Sequence, residues 1–173
     1  MLTLTLFRHA KSCWDHADLT DFDRPLNERG EHDAPVMGRY LAAHKLIPDL
    51  ILCSAAKRAR ATLDLAWADW PVKPHTEYSE ALYLATQHTM LGILHNVEGH
   101  PAHVMMIGHN PGMHAFAMGM AGTGEADARY ALSSKYPTAA IASITFDAKD
   151  WSDVTSGNGT LTLFISPKQI DAR

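Results

Sequence analysis

Leu2-Thr3-Leu4-Thr5-Leu6-Phe7 runs straight into Arg8-His9. Leucines at period two with threonines between them read as a β-strand, because successive strand side chains point to opposite faces. Two later apolar runs read the same way. One is Leu50-Ile51-Leu52-Cys53, followed by Ser54; the other is His103-Val104-Met105-Met106-Ile107, followed by Gly108-His109-Asn110-Pro111. Their unbroken apolar character suits strands covered on both faces.

Helical patterns separate these runs. A helix is predicted from near Asn27 to about His44, with Ala34, Met37, Leu41 and His44 on one face. Pro35 is expected to bend it or to mark its start. Ser54 reads as the N-cap of a second helix, on which Ala55, Ala59, Thr62, Leu63, Ala66 and Trp70 trace one face. Pro71 and Pro74 end that helix and bracket a short extended piece. Thr86 to Val97 reads as a third helix, with Gly99 just past its end. Asn110 suits the N-cap and Pro111 the first position of a fourth. Gly122-Thr123-Gly124 breaks the chain. Ala139 to Phe146 and Thr160 to Ile165 alternate, and Gly157-Asn158-Gly159 between them predicts an antiparallel hairpin.

Strands alternating with helices predict an α/β fold. The expected form is a three-layer α/β/α sandwich, with a largely parallel sheet and an antiparallel edge. The 173 residues fit one domain, 1–173. Apolar residues at 46% and charged residues at 20% exclude a disordered chain and a fibre. Fifteen Lys and Arg against nineteen Asp and Glu give a net charge of −4, which weighs against a nucleic-acid partner and makes any anion site a local feature. No basic leader and no apolar run of about 18 residues is present, so neither a signal peptide nor a membrane partner is expected. Cys13 and Cys53 form no C-x-x-C pair, and a reducing cytoplasm is the expected location.

Ligands of an open α/β sheet bind beyond the carboxyl ends of its strands. Arg8-His9, Ser54 with Arg58 one turn further on, and Gly108-His109-Asn110-Pro111 all fall at such ends. Two arginines and two histidines are thereby brought together. Guanidinium groups chelate phosphoryl oxygens, helix N-termini favour the same charge, and a neutral imidazole is a competent nucleophile. Neighbouring cations should lower the histidine pKa. Lys11 and Arg24 are candidates for lining the phosphate approach. The remaining histidines lack a carboxylate or thiol set at ligand spacing, so no metal and no cofactor is expected.

These residues resemble the histidine phosphatase superfamily, whose phosphoglycerate mutase-like fold is the sandwich expected above. The pattern Ser54-x-x-x-Arg58-Ala59-x-x-Thr62 joins Arg8-His9 and Gly108-His109-Asn110-Pro111 in carrying the likeness. More narrowly, Arg8-His9-Ala10-Lys11-Ser12-x-Trp14-Asp15, then Asp23-Arg24-Pro25-Leu26-Asn27-x-Arg29-Gly30, resembles the SixA-type phosphohistidine phosphatases, as does Thr138 to Ser143. The resemblance implies that His9 is the nucleophile that becomes phosphorylated. Arg8, Arg58 and His109 then complete the phosphate pocket, and Glu80 is the best match to the family's proton donor. The implied substrate is phosphohistidine on a signalling or phosphotransfer protein, hydrolysed without metal. Ala10 stands where glycine is usual, Lys11 where an acidic residue or glutamine is common, and Ser54-Ala55 replaces Ser-Pro. With no room for a lid, the site is expected to be open. Two other readings stand beside this one: a phosphatase of small phosphomonoesters, in which Glu80 is essential, and a non-catalytic phospho-ligand module, in which His9 is dispensable.

Overall fold

The structure, a computed structural model, describes residues 1–171. Seven strands form one sheet in the order β3-β2-β4-β1-β6-β7-β5. They are β1 (Leu2–Arg8), β2 (Leu50–Ser54), β3 (His75–Ser79), β4 (His103–Gly108), β5 (Ala121–Gly124), β6 (Ile141–Phe146) and β7 (Gly159–Ile165). The helices are α1 (Glu28–Ala43), α2 (Lys57–Ala66), α3 (Gln87–His95), α4 (Gly112–Met120), α5 (Ala126–Ser134) and α6 (Pro167–Asp171).

The alternation of strand side chains divides the core into two layers. Leu4 and Leu6 of β1, Leu52 of β2 and Met106 of β4 meet Leu94 of α3 and Phe116 of α4 on one face. Phe7, Ile51, Cys53 and Ile107 meet Met37 and Leu41 of α1 and Leu63 of α2 on the other. The three-layer sandwich follows. Among the described residues, no helix is long and apolar enough to cross a membrane.

Strands β1, β2 and β4 pair in parallel, so Arg8, Ser54 and Gly108 finish at one edge of the sheet. The antiparallel pairing is present but lies inside the sheet. Strand β6 runs antiparallel to β1 and to β7, while both outer strands, β3 and β5, pair in parallel with their neighbours. The connection from β6 to β7 is not a tight turn, since it carries a 3-10 turn at Trp151–Asp153. Gly122-Thr123-Gly124 is part of edge strand β5 and not a break.

Helix starts also differ from expectation at two places. Asn27 caps α1 as expected, accepting the Gly30 N–H at 2.9 Å, and the helix continues through Pro35. Ser54 is not the N-cap of α2. It ends β2, and Ala56 takes the cap position without a side-chain bond. Helix α4 is capped by Pro111 and not by Asn110, whose Nδ2 donates instead to the Tyr136 carbonyl at 3.1 Å. A Cβ at Gly38 would fall 1.8 Å from the Ala66 carbonyl oxygen, so glycine is what lets α1 lie directly against α2.

Candidate active site

His9 follows the last residue of β1 and is buried. Its backbone is fixed on both sides, because its N–H donates to the Gly108 carbonyl at 3.0 Å and its carbonyl accepts from Ala139 at 3.1 Å. Its Nδ1 lies 2.7 Å from the Ala10 carbonyl oxygen, which can only accept. The ring proton therefore sits on Nδ1, and the lone pair is left at Nε2. Arg58 Nε donates toward that Nε2 across 3.3 Å. Burial, above all, lowers the His9 pKa to about 3; His109, Arg58 and Arg8 push the same way, against the Ala10 carbonyl.

Arg58 is held from the far side by the loop between β1 and α1. Its Nη1 donates to the Asp21 carbonyl at 2.6 Å and its Nη2 to Asp21 Oδ2 at 3.1 Å. The Asp21 carboxylate also accepts from the Tyr83 hydroxyl and forms a 2.8 Å ion pair with Arg24. The Tyr83 hydrogen bond, followed by Arg58 and then Arg24, holds Asp21 down at about 2 despite some desolvation. It is a fixed anion at neutral pH. The face of Trp14 covers the Arg24 guanidinium at 3.4 Å.

His109 is buried, with its ring centroid 5.0 Å from that of His9 and the Tyr83 ring edge-on to it. Its Nε2 shares a 2.7 Å hydrogen bond with the Ser54 hydroxyl, which is what that side chain does in place of capping. Desolvation, then Arg58, lowers the His109 pKa to about 3. Arg8 Nη1 donates to the Tyr136 carbonyl at 2.7 Å. Arg8 Nε and His109 Nδ1 are buried and have no partner among the described residues. A buried polar atom without a partner is costly, so each is free to bond a ligand: Arg8 Nε as a donor, and His109 Nδ1 as a donor when the Ser54 hydroxyl donates to its Nε2.

A cavity of about 340 Å³ opens over His9, lined by Arg8, Arg58, Lys11 and the buried Arg24, with exposed Trp14 over the Arg24 guanidinium. The structure thus brings Arg8, His9, Arg58, Lys11 and Arg24 around one cavity and sets His109 against His9. It does not bring Glu80 there. Glu80 opens the 3-10 turn Glu80–Leu82, is exposed and does not line the cavity. The carboxylate that does is Asp21, which sequence reasoning missed. Its one local signal is the spacing to Arg24, three residues on. Thr62 was legible only as part of a pattern. Its hydroxyl accepts the Ala10 N–H at 2.9 Å and donates to the Arg58 carbonyl at 2.7 Å, tying the two arms of the site together. Among the described residues, the one group arranged to hold a metal ion is His32, Asp33 and Asp171, and none of these lines the cavity.

Fold and site together define an α/β protein that gathers cations and neutral imidazoles for an oxyanion at its strand ends. Residues 4–83 match the family model of the histidine phosphatase superfamily, branch 1. Over 163 residues the chain is 36% identical to an uncharacterised protein of Mycobacterium tuberculosis, covering 93% of this chain and 99% of that one. A crystal structure described provisionally as the phosphohistidine phosphatase SixA of Agrobacterium tumefaciens superposes with a TM-score of 0.81 at 30% identity, over 96% of this chain and 98% of that one. The protein histidine phosphatase SixA, solved with tungstate, superposes with a TM-score of 0.78 over 98% of this chain and 99% of that one; at 23% identity this is a likeness of fold. The chain belongs to branch 1 of the histidine phosphatase superfamily, and its fold is that of the SixA-type members.

Proposed function

We propose that this protein is a phosphatase that removes the phosphoryl group from phosphohistidine on a protein, through a covalent intermediate on His9. The observation that carries the reading is the His9 ring, with its proton tied to Ala10 and its Nε2 lone pair on the cavity side under Arg58. Nε2 attacks phosphorus, the bond from phosphorus to the substrate imidazole breaks, and that imidazole leaves with its electron pair and takes a proton from water. The hydroxide left from that water then attacks the phosphoryl group on His9; the bond from phosphorus to Nε2 breaks, its electron pair returns to Nε2, and inorganic phosphate leaves the neutral ring. Arg8 and Arg58 compensate the charge on the equatorial oxygens, and this arginine pair is why metal independence is part of the proposal. With Ser54 donating to its Nε2, His109 presents an N–H from Nδ1 to the same oxygens.

The state of the carboxylates favours an imidazole leaving group. Asp21, the carboxylate among the described cavity-lining residues, is ionised and cannot protonate a leaving alkoxide. An imidazole departs without that help. Glu80 is proposed as a donor that matters only for poorer leaving groups. Lys11 is proposed to meet the phosphorylated surface, while Arg24, buried beneath Trp14 and paired with Asp21, lines the phosphate approach. The two cysteines are unpaired, which agrees with a cytoplasmic location.

The test is phosphate release from a purified phosphohistidine-carrying phosphotransfer protein, with a chelator present. Wild type is expected to release phosphate, and a folded His9→Ala variant is expected to release none. Equal release by the variant would remove His9 as nucleophile. No release by wild type, with hydrolysis of sugar phosphates, would move the assignment to a phosphomonoesterase.

A further inference from the structure

A second cavity, of about 310 Å³, adjoins the one over His9. Arg8, Lys11 and Thr138 line both. Its other walls bring in Arg29 from α1, Lys135 from just after α5 and Lys168 from α6. Close packing makes this convergence possible. A Cβ at Gly30 would fall 2.2 Å from the Lys11 carbonyl oxygen, so the first turn of α1, which carries Arg29, lies directly against the Lys11 backbone.

Five cations thus surround one cavity in a chain of net charge −4. Among the described residues no carboxylate lines it. Among the described residues, Lys11, Lys135 and Lys168 take part in no ion pair, and of the five cations only Arg29 has a carboxylate partner, Asp33 at 3.4 Å. Like charges in one concavity repel, and an anion relieves the repulsion. A concave wall also concentrates their field on whatever enters. Arg8 lies in both walls, so a ligand with one anionic group over His9 can hold a second one beside it.

We propose that this cavity is a second anion subsite, which binds a carboxylate side chain of the phosphorylated protein next to its phosphohistidine. The inference rests on the phosphohistidine reading and adds to it a preference for acidic flanking sequence. Arg29, Lys135 and Lys168 line this cavity and not the one over His9, and of these the two lysines lack the carboxylate partner that Arg29 has among the described residues.

The test compares two phosphohistidine peptides, one with aspartates flanking the phosphorylated residue and one with asparagines in their place. Wild type is expected to favour the acidic peptide in kcat/KM by about tenfold. The Lys135→Ala/Lys168→Ala variant is expected to lose that preference. A Lys73→Ala/Lys149→Ala control, with the same change in net charge, is expected to keep it. Equal kcat/KM values in wild type, or loss of the preference in the control as well, would overturn the subsite. If wild type hydrolyses neither peptide, the phosphohistidine reading fails, and calorimetric titration with inorganic phosphate decides the subsite by itself. Two phosphates per wild-type chain and one per double variant would uphold it; one in both would overturn it.

Discussion

Arg58 Nε lies 3.3 Å from His9 Nε2, so the guanidinium that is to bind the phosphoryl group rests, in the free protein, on the lone pair that is to attack it. Entry of an oxyanion must move this hydrogen bond from the nitrogen to a phosphoryl oxygen. The rest of Arg58 does not have to move, because Asp21 holds its other two nitrogens. The nucleophile is therefore uncovered by a small change at one N–H.

That arrangement makes Asp21 a positioning residue. Asp21→Asn keeps the shape but removes the charge that fixes Arg58. A charge-assisted hydrogen bond contributes roughly 1.5–3 kcal/mol, so kcat/KM is expected to fall about 10- to 100-fold. The shape of the pH–rate profile should not change, since an ionised Asp21 donates no proton. Loss of a basic limb in the variant would make Asp21 the acid and contradict this assignment.

The pH dependence follows from two buried histidines held neutral. Both His9 and His109 have their pKa lowered to about 3. No acid limb near 6.5 is expected in kcat/KM once the substrate's own titration is removed. Stability behaves differently. As pH falls below about 6.5, the unfolded chain takes up protons that the folded one refuses. Stability should therefore be flat above that value and decline from there toward about pH 3, by at most about 1.4 kcal/mol per pH unit for each histidine. Denaturant melts at several pH values check this. Stability that rises on acidification across that window would contradict it.

Glu80 separates the two classes of leaving group. Glu80→Gln is expected to change phosphohistidine hydrolysis by less than about twofold, since the side chain is exposed and outside the cavity lining. A general acid contributes typically about 10²–10⁴-fold. A loss of that size on the phosphoprotein would place Glu80 in the reaction and undo the leaving-group argument.

Thr62 joins α2 to the segment after β1. Thr62→Val leaves the Ala10 N–H without its acceptor, and an unsatisfied buried donor costs about 1–3 kcal/mol. A melting temperature lowered in Thr62→Val and restored in Thr62→Ser is the expected pattern. Equal destabilisation by both would mean that packing of the methyl group, and not the hydrogen bonds, is what matters there.

Strand ends were the legible part of this molecule. Strands β1, β2 and β4 carry unbroken or alternating apolar runs because helices cover both of their faces, and those runs stop at Arg8, Ser54 and Gly108. Parallel pairing then brings His9, Arg58 and His109 together. The elements that were missed lack such a signature. Strand β3 is the edge strand His-Thr-Glu-Tyr-Ser, largely exposed; β5 is four residues with two glycines; α5 buries only Leu132. Asp21 sits in a loop with several other acidic residues, and nothing periodic distinguishes it. Its importance comes from Tyr83, 62 positions away, and from Arg58, 37 positions away. Ser54 looked like a cap because serine before a helix usually is one, whereas here its hydroxyl is taken by His109.

The most direct test of the central claim is the position of phosphorus on the enzyme. Wild type is mixed with a phosphohistidine-carrying protein, quenched under basic conditions within one turnover, and its phosphorylated peptide is mapped by mass spectrometry and phosphorus NMR. The result expected is a single phosphoramidate on Nε2 of His9. Phosphorus on Nδ1 of His9, on His109 or on Ser54, or turnover with no phosphoenzyme at all, would contradict it.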